Sequence, residues 1–401
     1  MSELTIVNAR LITPFEVVEG GAVRVADGWI VAVGPMDDVL LADRTPSGEV
    51  IDAAGRLVAP GFVDLQVNGA GGYDCMSGRA EEVEALARLL PRYGCTSFLP
   101  TTVTASRERL LAALRAIAAA RRAAPPGARI LGAHVEGPYI SSSPEGRGAH
   151  DVTQIRPFDP AEWSELQAAA DGQVRILTLA PEAHGNLRHV GLVRRSGVVV
   201  SIGHTGATYA EVAAAARAGA SMATHTYNGM KGLHHREPGA LGAVLDLDQL
   251  TAGLIADGYH VHPAAMRTLL RAKGLDRVVA VTDAAWVAGL PPGEYVWAGG
   301  PVTFDGKAPR TLDGRLAGSA LTMVQAVRNL IDLVGLALPE AIRLVTANPA
   351  RVIGLDGEIG SLQVGRRGDL VVLDEAGGQL DVWMTVVGGE VNHQAGVGDV
   401  V

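Results

Sequence analysis

Short apolar runs rich in Val, Ile and Thr alternate with Ala/Leu/Arg segments of helical period between about residues 58 and 350. This alternation is typical of parallel sheets whose strands are connected by helices. The pattern predicts eight strands, at residues 58–67, 96–103, 129–135, 175–179, 198–203, 221–226, 250–256 and 278–282. It also predicts helices between them, which include residues 81–93, 107–122, 209–218 and 263–273. Eight strands with intervening helices predict an α/β fold, a (β/α)8 barrel of TIM type.

The two ends of the chain follow a different pattern. Residues 3–56, 369–373 and 382–387 alternate apolar and polar positions with period two, with breaks at Gly and Asp. Period two is typical of antiparallel strands that have one buried face. Neither end has enough strands to bury a face by itself, so we expect the two ends to meet in one small β-sandwich. We predict a sandwich domain of residues 1–57 and 355–401 and a catalytic barrel of residues 58–354.

Charge and composition narrow the class of protein. The 401 residues carry 34 Lys+Arg against 43 Asp+Glu, a formal net charge of −9. A nucleic-acid partner is excluded, because affinity for a phosphate backbone needs clustered positive charge. The first residues lack a basic segment followed by an apolar run, and the most apolar helical stretch, residues 110–120, is short and contains Arg115. We therefore expect a cytoplasmic protein without a membrane partner.

Residues that can bind metals or transfer protons follow several predicted strands. The C-terminal ends of barrel strands meet at one face, where the chemistry of such barrels takes place. Five strands end in such residues, namely Glu136 after the third, His204 after the fifth, His225 after the sixth, Asp257 and His260 after the seventh, and Asp283 after the eighth.

The positions of these residues allow two interpretations. Glu136, His204 and His225 form a set of one carboxylate and two imidazoles, which suits a catalytic Zn²⁺ or a similar divalent ion with an open position. Asp283 would then face a water molecule at that ion. Alternatively, each histidine is a hydrogen-bonded structural residue and the aspartate is a helix N-cap. Position alone leaves both interpretations open.

A series of motifs points to a family. In chain order they are PGFVD (60–64), HVEGPY (134–139), GHTGAT (203–208), THTYNGM (224–230), REPG (236–239), ADGYH (256–260), VTDA (281–284), LAGS (316–319), NPAR (348–351) and GDLV (368–371). Together they resemble the N-acetylglucosamine-6-phosphate deacetylases of the amidohydrolase superfamily. The resemblance covers essentially the whole chain. It is specific, because a single motif would be weak evidence whereas this many motifs occur in the same order.

The resemblance implies a role for each matching residue. Glu136, His204 and His225 bind one divalent ion, most often Zn²⁺, and Asp283 is the catalytic acid and base. His150 polarises the acetyl carbonyl as the second catalytic group. The resemblance also implies a homodimer in which Arg236 reaches into the partner subunit. The implied substrate-binding residues are Ala149, His150, Asn228, Gly229, Arg236, Asp257, His260, Leu316, Ala317 and Gly318.

The end of the first barrel strand departs from a common superfamily pattern. Many amidohydrolases have His-x-His at this point and hold a second metal there, whereas this chain has Gln66, Val67 and Asn68. A neutral amide is a poorer ligand than imidazole and brings no charge to offset a second dication. We therefore expect one metal ion per subunit.

The implied function is the metal-dependent hydrolysis of N-acetylglucosamine 6-phosphate to glucosamine 6-phosphate and acetate, a step of amino-sugar catabolism and recycling. Three alternatives stay open. The substrate is the galacto epimer, or the reaction is another of the superfamily, such as that of a dihydroorotase or a deaminase, which would not need Arg236 and His260. The third alternative is a metal-free scaffold on the same fold, which the retained ligand set disfavours.

Overall fold

The structure, a computed structural model, describes residues 3–13, 16–41, 48–297, 300–375 and 378–396. Its strands are β1 (Glu3–Ile12), β2 (Val17–Ala26), β3 (Trp29–Pro35), β4 (Glu49–Asp52), β5 (Leu57–Pro60), β6 (Phe62–Val67), β7 (Gly69–Ala70), β8 (Tyr73–Asp74), β9 (Cys95–Thr102), β10 (Arg129–Ile130), β11 (Ala133–Glu136), β12 (Val174–Leu179), β13 (Val199–Ile202), β14 (Ala220–Ala223), β15 (Thr251–Ile255), β16 (Val278–Val281), β17 (Gly293–Trp297), β18 (Gly300–Phe304), β19 (Pro309–Thr311), β20 (Leu370–Asp374), β21 (Asp381–Val387) and β22 (Glu390–Gln394). Its α-helices are α1 (Met36–Leu41), α2 (Ala80–Leu89), α3 (Arg107–Ala123), α4 (Pro160–Ala169), α5 (Val190–Arg195), α6 (Tyr209–Ala218), α7 (Gly239–Asp246), α8 (Pro263–Lys273), α9 (Met323–Asn329), α10 (Leu338–Val345) and α11 (Ala347–Val352).

Eight parallel strands form the predicted (β/α)8 barrel. β6 pairs with β9, and the sheet continues through β11, β12, β13, β14 and β15 to β16. The barrel closes between its first and last strands, where the Asp283 N–H donates to the Gln66 carbonyl at 2.9 Å and Val67 forms a parallel bridge with Ala284. Each predicted strand is present, and residues 129–135 form two strands, β10 and β11.

Both chain ends contribute to one further sheet, as the period-two pattern predicts. Its strands run in the order β22-β21-β20-β5-β1-β2-β3, and β4 also pairs with β1. The ends meet where β20 runs antiparallel to β5, with Leu370 opposite Pro60. A separate apolar core beneath this sheet includes Ile6, Leu11 and Met384. The predicted strand at residues 58–67 is therefore divided, since β5 belongs to this sheet and β6 to the barrel.

The four predicted helices, which are amphipathic, are all present as α2, α3, α6 and α8. α6 and α8 have the predicted bounds, and α6 begins with a capping box in which Thr208 and Glu211 satisfy each other's backbone N–H groups. The sequence pattern did not predict α7. Its residues 239–244 are all buried, so the helix lacks the polar face that gives an amphipathic helix its periodicity.

An insertion between β16 and α9 covers one side of the barrel mouth. Its strands β17, β18 and β19 form an antiparallel sheet, and Phe304 packs with Ala285 and Val287 beneath it. Trp286 packs edge-on against Tyr295 at 5.1 Å between ring centroids. Among the described residues, no helix is both long and apolar enough to cross a membrane.

Candidate active site

A cavity of about 880 Å³ opens at the C-terminal ends of the barrel strands. Glu136 is the last residue of β11, and His204, His225 and Asp283 each lie two residues beyond the end of β13, β14 and β16. All four side chains line the cavity and are more than nine-tenths buried. Barrel closure therefore brings together residues from four strands, as the strand-end pattern predicts.

Three of these residues have left-handed backbone conformations. The φ angles are +47° at His204, +28° at His225 and +49° at Asp283. Such a conformation costs a non-glycine residue roughly 1–3 kcal/mol, so the surrounding structure must hold it in place. Backbone hydrogen bonds do so, since the Ser141 N–H donates to the His204 carbonyl and the Ser319 N–H donates to the Asp283 carbonyl, both at 2.8 Å.

The donor atoms of Glu136, His204 and His225 fit a divalent cation. Glu136 Oε1 lies 2.9 Å from His225 Nε2 and 3.3 Å from His204 Nε2, and the two Nε2 atoms are 3.0 Å apart. Two ligand atoms that each lie about 2.0 Å from a tetrahedral ion are about 3.3 Å apart. This cluster is therefore a candidate metal site.

The tautomer of His204 supports that interpretation. His204 Nδ1 lies 2.8 Å from the Gly146 carbonyl oxygen, and only a protonated Nδ1 can donate to a carbonyl. The Nε2 atom then carries a lone pair, and that lone pair faces the cluster. A ligating histidine is commonly oriented in this way, with its other nitrogen donating to a carbonyl.

Glu136 supplies a negative charge to the cluster. Burial opposes its ionisation, but the neighbouring imidazoles of His204 and His225 outweigh that effect and hold the pKa of Glu136 well below its usual value. An ionised carboxylate beside two imidazoles matches the charge and donor type that Zn²⁺ prefers.

Asp283 lies beside the cluster and has the properties of a general base. Burial raises the pKa of Asp283 to about 6, and the charge of Glu136 acts in the same direction. A base with a pKa near neutral pH transfers protons effectively.

His150 is a neutral donor at the same cavity. Burial, with the neighbouring His204 acting in the same direction, lowers the pKa of His150 to about 3. Its Nδ1 accepts the Thr104 backbone N–H at 3.3 Å, so the remaining proton is on Nε2. That Nε2 lies 3.1 Å from His204 Nε2. The loop after β11 thus brings His150 to the cluster, as the resemblance implies.

The predicted substrate-binding residues fall into three groups. One group lines the cavity and consists of Ala149, His150, Asn228, Gly229, His260, Leu316, Ala317 and Gly318. Asp257 lies behind the lining, where its Oδ2 is 2.5 Å from His260 Nδ1 and its Oδ1 accepts the His260 backbone N–H at 2.8 Å. Asp257 therefore orients His260.

Arg236 forms the third group by itself. It is exposed on the loop before α7, with its Nη1 2.7 Å from His235 Nε2. The neighbouring Glu237 pairs with Lys231 at 3.6 Å. In the described part of the chain, Arg236 is not among the residues that line the cavity.

The structure adds residues that the motifs did not indicate. Arg109 from the first turn of α3, Arg315, and Val302 and Leu312 of the insertion all line the cavity. The part of the insertion that precedes the LAGS motif (316–319) carries no motif, so only contact with the cavity identifies Val302, Leu312 and Arg315. Asn68 also lines the cavity. The sequence drew attention to this residue only as an amide at a position where many amidohydrolases have a histidine.

The comparisons with known proteins agree with this geometry. Residues 57–392 match the Amidohydrolase family. The chain is 40% identical over 375 residues to an N-acetylgalactosamine-6-phosphate deacetylase of Escherichia coli O157:H7, covering 94% of this chain and 96% of that protein. It is 34% identical to an N-acetylglucosamine-6-phosphate deacetylase of Bacillus subtilis (strain 168), covering 97% and 96% of the two chains.

A solved structure extends the likeness to three dimensions. An N-acetyl-D-glucosamine-6-phosphate deacetylase of Mycobacterium smegmatis, in complex with N-acetyl-D-glucosamine-6-phosphate, superposes with a TM-score of 0.88 at 32% identity. The match covers 98% of this chain and all of that one. The chain therefore belongs to the amidohydrolase family.

Proposed function

We propose that this protein hydrolyses the acetamide of N-acetylglucosamine 6-phosphate to glucosamine 6-phosphate and acetate. The observation that carries the proposal is the convergence of Glu136, His204, His225, Asp283 and His150 on one cavity, in a chain with deacetylase relatives over almost its whole length. The reaction belongs to amino-sugar catabolism and recycling. We place it in the cytoplasm, because the charge of a phosphorylated sugar keeps it from crossing a bilayer.

We propose one divalent ion per subunit, most simply Zn²⁺, held by Glu136, His204 and His225. When bound, such an ion supplies Lewis-acid chemistry, in which it polarises a carbonyl and lowers the pKa of water to about 7. The donor set of two imidazole nitrogens and one carboxylate oxygen is typical of catalytic zinc sites.

The chain's own residues move the protons. Asp283 accepts a proton from the attacking water as the oxygen bonds to the acetamide carbon. The Nε2–H of His150 donates to the carbonyl oxygen, which gains negative charge in the tetrahedral intermediate. Asp283 then delivers its proton to the sugar nitrogen as the C–N bond breaks, which returns Asp283 to its starting state. The second proton of the water stays on the new carboxyl group and passes to solvent or to the free amine, so that acetate is the product.

Phosphate recognition depends on local donors, because a protein of net charge −9 repels an anionic substrate at long range. We propose that His260 and the backbone at Asn228 and Gly229 contact the phosphate within the subunit. Arg236 would complete the site of the partner subunit in a homodimer, since it is exposed on a loop that does not line the cavity of its own subunit.

Replacing Arg236 with Ala should raise KM by about 10- to 100-fold, the effect of losing a hydrogen bond to a charged group, with a smaller change in kcat. Steady-state kinetics measures this split. If Arg236 acts across a dimer, Arg236→Ala and Asp283→Ala subunits refolded together restore activity, because each mixed dimer contains one complete site. If it acts within its own subunit, no mixed dimer has a complete site and mixing restores nothing.

A second candidate substrate is N-acetylgalactosamine 6-phosphate, which the 40% identical relative's name favours. The two sugars differ at one hydroxyl. We expect kcat/KM for the gluco compound to exceed that for the galacto compound by about tenfold, the discrimination that one hydrogen bond provides. Acetate release from each sugar phosphate under identical conditions makes the comparison, and a preference for the galacto compound would reverse the assignment.

A further inference from the structure

Two side-chain amides at the end of β6 hold the carboxylate of Asp283. Asn68 Nδ2 donates to Asp283 Oδ1 at 2.7 Å, and Gln66 Nε2 donates to the same oxygen at 3.1 Å. Gln66 Nε2 also donates to Glu136 Oε1 at 3.0 Å. The two hydrogens of the Gln66 amide therefore serve two different carboxylates, one in the metal cluster and one beside it.

The orientation of both amides follows from chemistry. An ionised carboxylate only accepts hydrogen bonds, so the NH₂ groups must face Asp283 and Glu136. Flipping either amide would put a carbonyl oxygen against a carboxylate oxygen. The opposite atoms, Gln66 Oε1 and Asn68 Oδ1, are buried and have no hydrogen-bond partner among the described residues. Each side chain therefore satisfies Asp283 while its own oxygen is left unpaired.

Barrel closure does not require these amides. The seam between β6 and β16 is held by backbone groups, since the Asp283 N–H donates to the Gln66 carbonyl and the Asn68 N–H donates to the Ala284 carbonyl, both at 2.9 Å. The two side chains thus add a contact to Asp283 that the strand pairing does not need.

We infer that Gln66 and Asn68 form an amide clamp that positions Asp283 for proton transfer. The clamp occupies Oδ1 with two donors, so Oδ2 is the oxygen that exchanges protons with water and the sugar nitrogen. Gln66 also ties the orientation of Asp283 to that of Glu136. The inference rests on the proposed deacetylase function and assigns a role to the residues that stand in place of histidines.

Replacing Asn68 with Leu keeps the side-chain shape and removes the donor. We expect kcat to fall by about 10- to 100-fold, as for a lost hydrogen bond to a charged group, while KM changes by less than about threefold and metal content stays the same. Gln66→Met should change kcat in the same direction. Gln325→Met removes a different amide, on α9, whose side chain bonds to Asn329, and should leave kcat unchanged.

A double-mutant cycle shows whether the amide acts through Asp283. In an Asp283→Ala background, Asn68→Leu should cost little further activity, because there is no carboxylate left to orient. A crystal structure of the Asn68→Leu protein should show the Asp283 carboxylate rotated from its wild-type position, a readout that does not depend on turnover. If Asn68→Leu fails to fold, Asn68→Ser replaces it in the same cycle.

Two outcomes would overturn the clamp. One is a wild-type kcat in Asn68→Leu with Asp283 unmoved, and the other is an equal loss of kcat with and without the Asp283 side chain. Failure of the proposed function looks different, because the wild-type protein would then not turn over either sugar phosphate.

Discussion

Replacing Asp283 with Asn should lower kcat by about 10³-fold, within the range that general acid–base catalysis contributes. Asparagine matches aspartate in shape but cannot accept the proton of water or return one to the sugar nitrogen. Turnover is measured by acetate release. Metal content and substrate binding, measured by metal analysis and calorimetry, should stay close to the wild-type values, because Asp283 is not one of the three residues of the candidate metal site.

Asp305→Asn is a matched control for this substitution. Asp305 lies on the insertion, and its carboxylate accepts the backbone N–H groups of Lys307 and Ala308, which an asparagine carbonyl can also accept. The control should keep full activity. A near-normal rate in Asp283→Asn would instead show that another group moves the protons.

Removal of either imidazole ligand should empty the metal site. In His204→Ala or His225→Ala the cluster keeps only two of its three ligands, and we expect metal content to fall from about one ion per chain to below about 0.1, since catalytic zinc sites need three protein ligands. Activity should fall with it. Elemental analysis of the purified variants measures the occupancy, and circular dichroism checks that they are folded.

His235→Ala is the control for the metal prediction. His235 is exposed and lies outside the cluster of Glu136, His204 and His225, so its removal should leave metal content and kcat unchanged. Full metal occupancy in His225→Ala would mean that the ion is held by other residues. A fall in metal content in His235→Ala like that expected in His225→Ala would point to a second metal site on the loop before α7.

Much of the fold could be predicted because its signals are local. Each barrel strand is a short apolar run and each amphipathic helix repeats within a few turns, so neither depends on distant residues for recognition. The helix α7 was missed for the complementary reason, because its residues 239–244 are all buried and show no alternation of apolar and polar positions. The division at Gly61 was also beyond prediction, because one apolar run supplies strands to two sheets.

The site separates into residues with a local signal and residues without one. Glu136, His204, His225 and Asp283 could be found because a barrel places all strand ends at one face. The position of His150 depends on a loop that must fold back onto Thr104. The position of Arg236 depends on the path of a different loop, the one before α7, which leaves Arg236 exposed and away from the cavity of its own subunit. No repeating pattern of apolar and polar residues predicts the path of either loop.

The sequence by itself determined the barrel, the union of the two chain ends and the set of groups able to hold a metal ion, since periodicity and strand-end position specify them. Only the tertiary structure decided which atoms face one another. Asn68 and Asp283 are 215 residues apart in the chain and 2.7 Å apart in space. Their contact, the lone pair of His204 and the pKa of Asp283 arise from barrel closure and burial, which no local stretch of sequence encodes.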